Sequence, residues 1–184
     1  MAKSAMVLSA LLLALGAVPA TTWADDRPTA TPEEVVTKVR EAVQYLKAKG
    51  LAGFSDFNNN KDARWVWKDS YVFVYSCRDN VMIAHPLRPD LVGKPILQMR
   101  DDKDHPIFQD LCKAGDKPNG GWVEYWWPKP GEARASRKIS FAHSAPVSFK
   151  SDIQVAAGIY DDKLTPDELD KIAKEASKPQ NMIP

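Results

Sequence analysis

The fold is decided by Tyr71-Val72-Phe73-Val74-Tyr75-Ser76-Cys77, followed by Arg78-Asp79-Asn80 and then by Val81-Met82-Ile83-Ala84-His85-Pro86. Aromatic and β-branched residues fill both arms of this stretch, as is typical of strands. Asp79 and Asn80 tolerate the positive φ that a tight turn requires. The pattern predicts a β-hairpin that carries His85 out of the sheet into a loop stiffened by proline.

A second segment, residues 120–132, is an aromatic strand that runs into a turn rich in proline and glycine. Together with the hairpin it resembles a single Cache domain of type 2. The resemblance continues through Leu91-Val92-Gly93-Lys94, Lys138-Ile139-Ser140-Phe141 and Gly158-Ile159-Tyr160-Asp161-Asp162, and it covers roughly residues 33 to 164. It implies an α+β, PAS-like fold: a curved antiparallel sheet of about five strands with a long N-terminal helix and a C-terminal helix.

Two capping boxes predict the terminal helices. Thr31-Pro32-Glu33-Glu34 begins a helix whose apolar residues recur at helical spacing until Gly50, and Thr165-Pro166-Asp167-Glu168 begins another. Between them, Asp104 is predicted to cap a helix from His105 to Ala114 that Gly115 ends. The helices are expected largely on one side of the sheet. Residues 54–67 are rich in aromatic rings, which either cover a sheet face or close a small pocket.

The chain divides into four predicted segments. Residues 1–24 combine Lys3, an apolar run and a small-residue cleavage site, which predicts a cleaved secretory signal peptide and a periplasmic, soluble product. Residues 25–31 form a polar tail, residues 32–164 the single Cache domain, and residues 165–184 a helix and tail.

The composition argues against two classes of partner. Because Lys3 is the only charged residue before position 25, the remaining chain has a formal net charge of zero. It therefore lacks the basic surface typical of nucleic-acid binding and has no electrostatic reason to adhere to an anionic membrane.

Cys77 and Cys112 are the only two cysteines. In an oxidising compartment they are predicted to form a disulfide, which the chain-entropy model credits with about 4 kcal/mol of stability. The alternative is two unrelated buried thiols. No Cys-x-x-Cys pair or nearby histidine indicates a metal site, and neither a metal nor a cofactor is expected.

In Cache domains the ligand lies between the curved sheet and the loop that follows the central hairpin. The resemblance therefore implies a ligand-binding site formed by His85, Tyr125, Trp127, Lys138 and Tyr160. Lys138 supplies the positive charge, His85 and Tyr160 supply hydrogen-bond donors, and the aromatic rings supply walls, a combination that fits a short carboxylate. Strand alternation places Tyr125 and Trp127 on one face and Trp126 on the other.

Each of these residues also has a structural interpretation. His85 can be a loop residue that bonds the backbone, and Lys138 a solvated strand charge paired with Glu124. Tyr160 can hold the Asp161-Asp162 turn, and the tyrosine and tryptophan rings can be ordinary core.

The predicted function is that of an exported small-molecule binding domain for a short organic acid, without a signalling domain of its own. The alternatives are an accessory module that binds a membrane sensor or transporter, with a homodimer through the first helix as one option, and a hydrolytic enzyme. Catalysis has the least support, because His85, His105 and His143 lie in separate segments without a nucleophile beside them.

Overall fold

A computed structural model describes residues 28–148, 150 and 152–176. The predicted signal peptide, residues 25–27 of the polar tail and the chain after Ala176 lie outside these residues. Within them, no helix is both long enough and apolar enough to cross a membrane.

The first helix, α1 (Pro32–Lys49), begins and ends as predicted. Thr31 and Glu34 form the reciprocal capping box, and Gly50, at φ 65°, donates its N–H to the Leu46 carbonyl oxygen. The helix packs on the sheet through one apolar face, which consists of Val35, Val36, Val39, Ala42, Val43 and Leu46.

The aromatic segment after α1 covers the helix side of the fold. A 3₁₀ helix (Gly50–Asn58) leads into a two-stranded ribbon of β1 (Val66–Trp67) and β2 (Ser70–Tyr71), which the sequence pattern did not predict. The rings of Phe57 and Trp65 lie 4.6 Å apart between centroids and both contact the Tyr45 ring of α1. Of the two predicted roles for this segment, the structure therefore shows core packing.

The main sheet has five antiparallel strands in the order β4-β3-β7-β6-β5. They are β3 (Phe73–Ser76), β4 (Val81–Ala84), β5 (Gly121–Pro128), β6 (Ala135–Ser144) and β7 (Ile153–Ile159). The β3–β4 pair is the predicted hairpin, and Asn80 adopts the expected positive φ of 52°. The Asn80 side-chain oxygen also accepts the backbone N–H groups of Ile96 and Leu97, so it fixes the loop beside the hairpin.

The sheet has a hydrophobic core on each face. α1 and α3 (Pro166–Glu175), which has the second predicted capping box, pack on one face. α2 (Ile107–Gly115) packs on the other face against the aromatic residues of the hairpin and β5. Of the three α-helices in the described part of the chain, two thus share a side and α2 lies on the other.

The predicted start of α2 was wrong. The helix begins at Ile107, and Pro106 precedes it without a side-chain cap. The residue before a proline is disfavoured in the helical region, so His105 cannot belong to the helix. Asp101, not Asp104, organises the loop: its carboxylate accepts the backbone N–H groups of Lys103, His105 and Trp126.

The structure contains the predicted disulfide. Cys77, which follows β3, is bonded to Cys112 in α2, and their Cα atoms lie 6.0 Å apart. The bond fastens α2 to the hairpin. Ile107 and Phe108 of α2 pack on the sheet face that carries the hairpin aromatic residues. By fastening α2 to the hairpin, the disulfide therefore limits how far these two side chains can move away from the sheet.

Candidate functional site

Four of the five predicted ligand-binding residues meet at one small hollow. It lies between the sheet, α2 and the loop that follows β4, and its volume is about 10 Å³, or about one water. The hollow is lined mostly by aromatic rings, and its residues are Tyr71, Phe73, His85, Ile107, Phe108, Tyr125, Trp127 and Lys138.

Lys138 is a buried amine that no anionic group of the described residues pairs with. Its side chain is 1% exposed, and its Nζ donates to the Tyr71 hydroxyl over 2.9 Å. Nζ also lies 4.1 Å from the centroid of the Tyr71 ring and 5.3 Å from that of Tyr160, in the cation–π range. Among the described residues no carboxylate comes within ion-pair distance of it.

The predicted alternative, an ion pair between Lys138 and Glu124, is wrong. Glu124 pairs with Arg137, the residue before Lys138, over 2.6 Å. Successive side chains of a strand point to opposite faces, so Arg137 and Lys138 separate.

The sheet leaves space for the lysine stem at Gly158. A Cβ atom on this residue of β7 would lie 2.8 Å from Lys138 Cε and 2.4 Å from the Ser140 hydroxyl oxygen. On the other side of β6, Lys138 is paired in register with Tyr125 of β5. Gly158 and Tyr125 therefore flank the Lys138 side chain and direct its amine to the hollow.

Burial lowers the pKa of Lys138 to about 7, because the apolar surroundings disfavour the charged form. Asp69 is the charge that opposes this shift. It is itself buried and accepts the backbone N–H of Ala30 over 2.7 Å. At neutral pH the site thus holds an amine whose charge is only weakly stabilised.

His85 is both a loop residue and a wall of the hollow. It is 3% exposed, and its Nδ1 accepts the backbone N–H groups of Leu87 and Arg88 over 3.3 and 3.0 Å. Burial lowers its pKa to about 3, so the ring is neutral. A neutral ring that accepts at Nδ1 carries its proton on Nε2, for which no described residue provides an acceptor.

Tyr125 and Trp127 share a face, as predicted. Their rings meet edge to face at 6.4 Å, and the Tyr125 hydroxyl bonds the Ser140 hydroxyl. Trp126 points to the opposite face, where Lys103 Nζ lies 3.2 Å from its ring centroid.

Tyr160 lies at the edge of the site and does not line the hollow. Its hydroxyl donates to the Pro128 carbonyl oxygen over 2.7 Å, and its ring approaches the lysine from outside. The following turn is held by Asp161, which accepts the N–H groups of Lys163 and Leu164. Tyr160 therefore supports the end of β5 and contributes its ring face to the amine.

Sequence reasoning missed Tyr71, Phe73, Ile107 and Phe108 as lining residues. The alternation of Tyr71, Phe73 and Tyr75 was a usable signal, because residues two apart share a face of a strand. Ile107 and Phe108 gave no such signal, since only the tertiary position of α2 brings them to the sheet.

The hollow presents hydrogen-bond donors to a ligand. The Lys138 amine, the His85 Nε2–H and the Tyr71 hydroxyl proton are available, and no acidic side chain lines the space. Among the described residues there is also no group of three His, Cys, Asp or Glu side chains that could hold a metal ion. Such an arrangement suits a small anion.

This architecture, an antiparallel sheet with a small hollow beneath the loop after the hairpin, is the one that the resemblance to Cache domains implies. The family model described as Cache domain (dCache_2) matches residues 57–178. The chain belongs to the Cache domain family.

The chemotaxis protein McpP of Pseudomonas putida is 32% identical over 60 residues, which are 33% of this chain and 11% of the relative. The chain therefore spans about a tenth of the length of that relative.

Three solved structures are similar. A chemotaxis protein of Vibrio parahaemolyticus is 22% identical with a TM-score of 0.52, covering 68% of this chain and 80% of that one. A periplasmic sensor domain of a chemotaxis protein is 25% identical with a TM-score of 0.52, covering 69% and 93%. A Cache chemosensory domain studied for carboxylic acid recognition is 22% identical with a TM-score of 0.53, covering 69% and 86%.

Proposed function

We propose that this Cache domain binds a short carboxylate, whose negative charge meets the Lys138 amine. The observation that carries this proposal is the buried amine, whose hydrogen-bond partner among the described residues is a neutral hydroxyl. An uncompensated buried charge is costly, and such residues concentrate at functional sites. A bound carboxylate supplies the missing charge.

The other groups give the ligand its orientation. One carboxylate oxygen accepts from Lys138 and the other from His85 Nε2–H, while the aromatic rings exclude water and strengthen both interactions. Acetate has four heavy atoms, so at about 1.5 kcal/mol per atom its affinity is limited to tens of micromolar. That range suits sensing. The carboxylic acid recognition studied in the similar Cache domain makes the same class the first to test.

We further infer that the chain works in the periplasm. The predicted signal peptide delivers it there, and the Cys77–Cys112 bond suits an oxidising compartment. Binding is then relayed to a membrane sensor or transporter, with pairing through α1 as one route.

A screen of acids with two to four carbons tests the proposal. Ligand at a hundred times its dissociation constant is expected to add about 2.7 kcal/mol to the free energy of unfolding, measured as a thermal shift near pH 6.5. The amides of the same acids are the matched control, because they keep the size and lose the charge. The proposal fails if no acid raises the melting temperature, or if the amides raise it equally.

Replacing His85 with asparagine is expected to weaken acid binding about tenfold while the loop stays folded. The asparagine Oδ1 can take over the acceptor role of His85 Nδ1, but nothing replaces the Nε2–H donor. A hydrogen bond to a charged group contributes about 1.5–3 kcal/mol. Isothermal titration measures the affinity, with His85→Gln as the complementary variant that keeps a donor and loses the loop acceptor. Unchanged affinity in His85→Asn would remove His85 from the site.

A further inference from the structure

The hollow around Lys138, here the inner hollow, has a larger neighbour. An outer hollow of about 280 Å³ lies between the loop after His85 and the turn that joins β5 to β6. Tyr71 and Trp127 line both spaces, so their rings form the partition. The inner hollow holds about 10 Å³, so a carboxylate can enter only if part of its wall moves.

The two partition residues differ in how firmly they are held. Tyr71 is fully buried, accepts a hydrogen bond from Lys138 and packs 4.9 Å from the His85 ring. Trp127 is half-buried at the end of β5, directly before Pro128. The indole is therefore the less buried part of the partition.

Arg88 covers the outer side of the indole. Its guanidinium lies 5.7 Å from the Trp127 ring centroid, while its backbone N–H donates to His85 Nδ1. Its side chain is also fixed by a two-point ion pair with Asp90, at 2.7 and 2.8 Å. The loop that positions His85 therefore also places a cation beside the indole.

We propose that Trp127 is the specificity-determining residue that limits the length of the acid, with Arg88 holding it in the closed position. This inference rests on the proposed function. With the carboxylate at Lys138 and His85, the alkyl chain of the ligand points toward the indole. In the closed position the indole separates the bound acid from the outer hollow, where Leu87, Pro128 and Pro130 offer apolar contacts, so acids with short chains are accepted and longer chains are excluded.

Trp127→Ala is expected to join the two hollows and to reverse the preference for chain length. Each methylene that becomes buried adds about fourfold in affinity, about 0.8 kcal/mol. The ratio of hexanoate affinity to acetate affinity is therefore expected to rise at least tenfold over wild type. Trp127→Phe, a smaller change to the core, is expected to move the optimum to butyrate. Titration calorimetry with linear acids of two to six carbons measures these ratios.

Trp126→Ala is the matched control, because it removes the same side chain from the opposite face of β5. It is expected to keep the wild-type length profile. If wild type binds acids but both Trp127 variants keep its profile, the role of Trp127 is overturned and the proposed function stands. If wild type binds no acid, the proposed function and this inference are overturned together.

Discussion

Lys138→Met is expected to abolish carboxylate binding and to raise the free energy of unfolding. Methionine has nearly the same length and fits an apolar site, but it carries no charge. Without the amine, no cation among the lining residues meets the ligand, so affinity is expected to fall more than a hundredfold. This value corresponds to about 3 kcal/mol or more, within the range for a buried charge interaction.

The gain in stability expected of Lys138→Met and its loss of binding both follow from removal of the buried amine. The pKa of Lys138 falls from its ordinary 10.5 to about 7, and each unit represents about 1.4 kcal/mol, so charging this buried amine costs several kcal/mol. The cost is fully present below pH 7 and disappears as the pH rises toward the pKa of the unfolded chain. At pH 6 the methionine variant is expected to melt several degrees above wild type.

Urea and thermal unfolding at pH 6 measure the stability effect, and titration calorimetry measures binding. Lys61→Met is the control, because Lys61 is exposed and is not among the residues that line either hollow. A methionine variant that binds acids normally would exclude Lys138 as the ligand cation. One that is less stable than wild type would mean that the amine supports the fold.

Acid affinity is expected to fall about a hundredfold between pH 6 and pH 9. Carboxylic acids remain ionised across this interval, and His85, whose pKa is about 3, stays neutral. The group that titrates is Lys138, whose pKa of about 7 is set by burial. Above pH 7 the free site loses its charge, and an anion binds only if the amine takes up a proton. Affinity is therefore constant below pH 7 and falls about tenfold per pH unit above it.

Calorimetry at pH 6, 7.5 and 9 tests this dependence. At pH 8, the measured enthalpy is expected to vary with the ionisation enthalpy of the buffer, because nearly one proton enters per ligand. Asp69 and Arg88 are charged groups near the site. Asp69 opposes the lowering of the Lys138 pKa. The pKa of Arg88 is raised by Asp90, so Arg88 keeps its charge from pH 6 to pH 9. A flat affinity profile with no proton uptake would show that Lys138 is charged before the ligand arrives.

The starts of α1 and α3 and the hairpin were predictable, because they depend on residues that are close together in the sequence. The capping boxes at Thr31 and Thr165 specify two helix starts, since cap and partner are three residues apart. The hairpin followed from its alternating pattern and Asn80. The start of α2 was misplaced because the cap at Asp104 was preferred to the constraint that Pro106 imposes.

The family resemblance predicted four of the eight residues that line the hollow, but not how the charged groups around it pair. Lys138 and Glu124 are a reasonable ion pair in the sequence, and only the strand register assigns Glu124 to Arg137. The lining by Ile107 and Phe108 depends on α2 docking, which the disulfide helps to fix.

By itself, the sequence specified the two capped terminal helices, the hairpin, a sheet of about five strands and four of the residues that line the hollow. The tertiary structure alone decided that Lys138 is buried with no carboxylate partner among the described residues and that the Tyr71 and Trp127 rings separate its hollow from a larger one. Sequence patterns reflect hydrogen bonds between residues that are close in the chain and the regular alternation of side-chain directions along a helix or strand. Desolvation and charge pairing depend instead on which distant strands and loops surround an atom, and those neighbours exist only after the chain has folded.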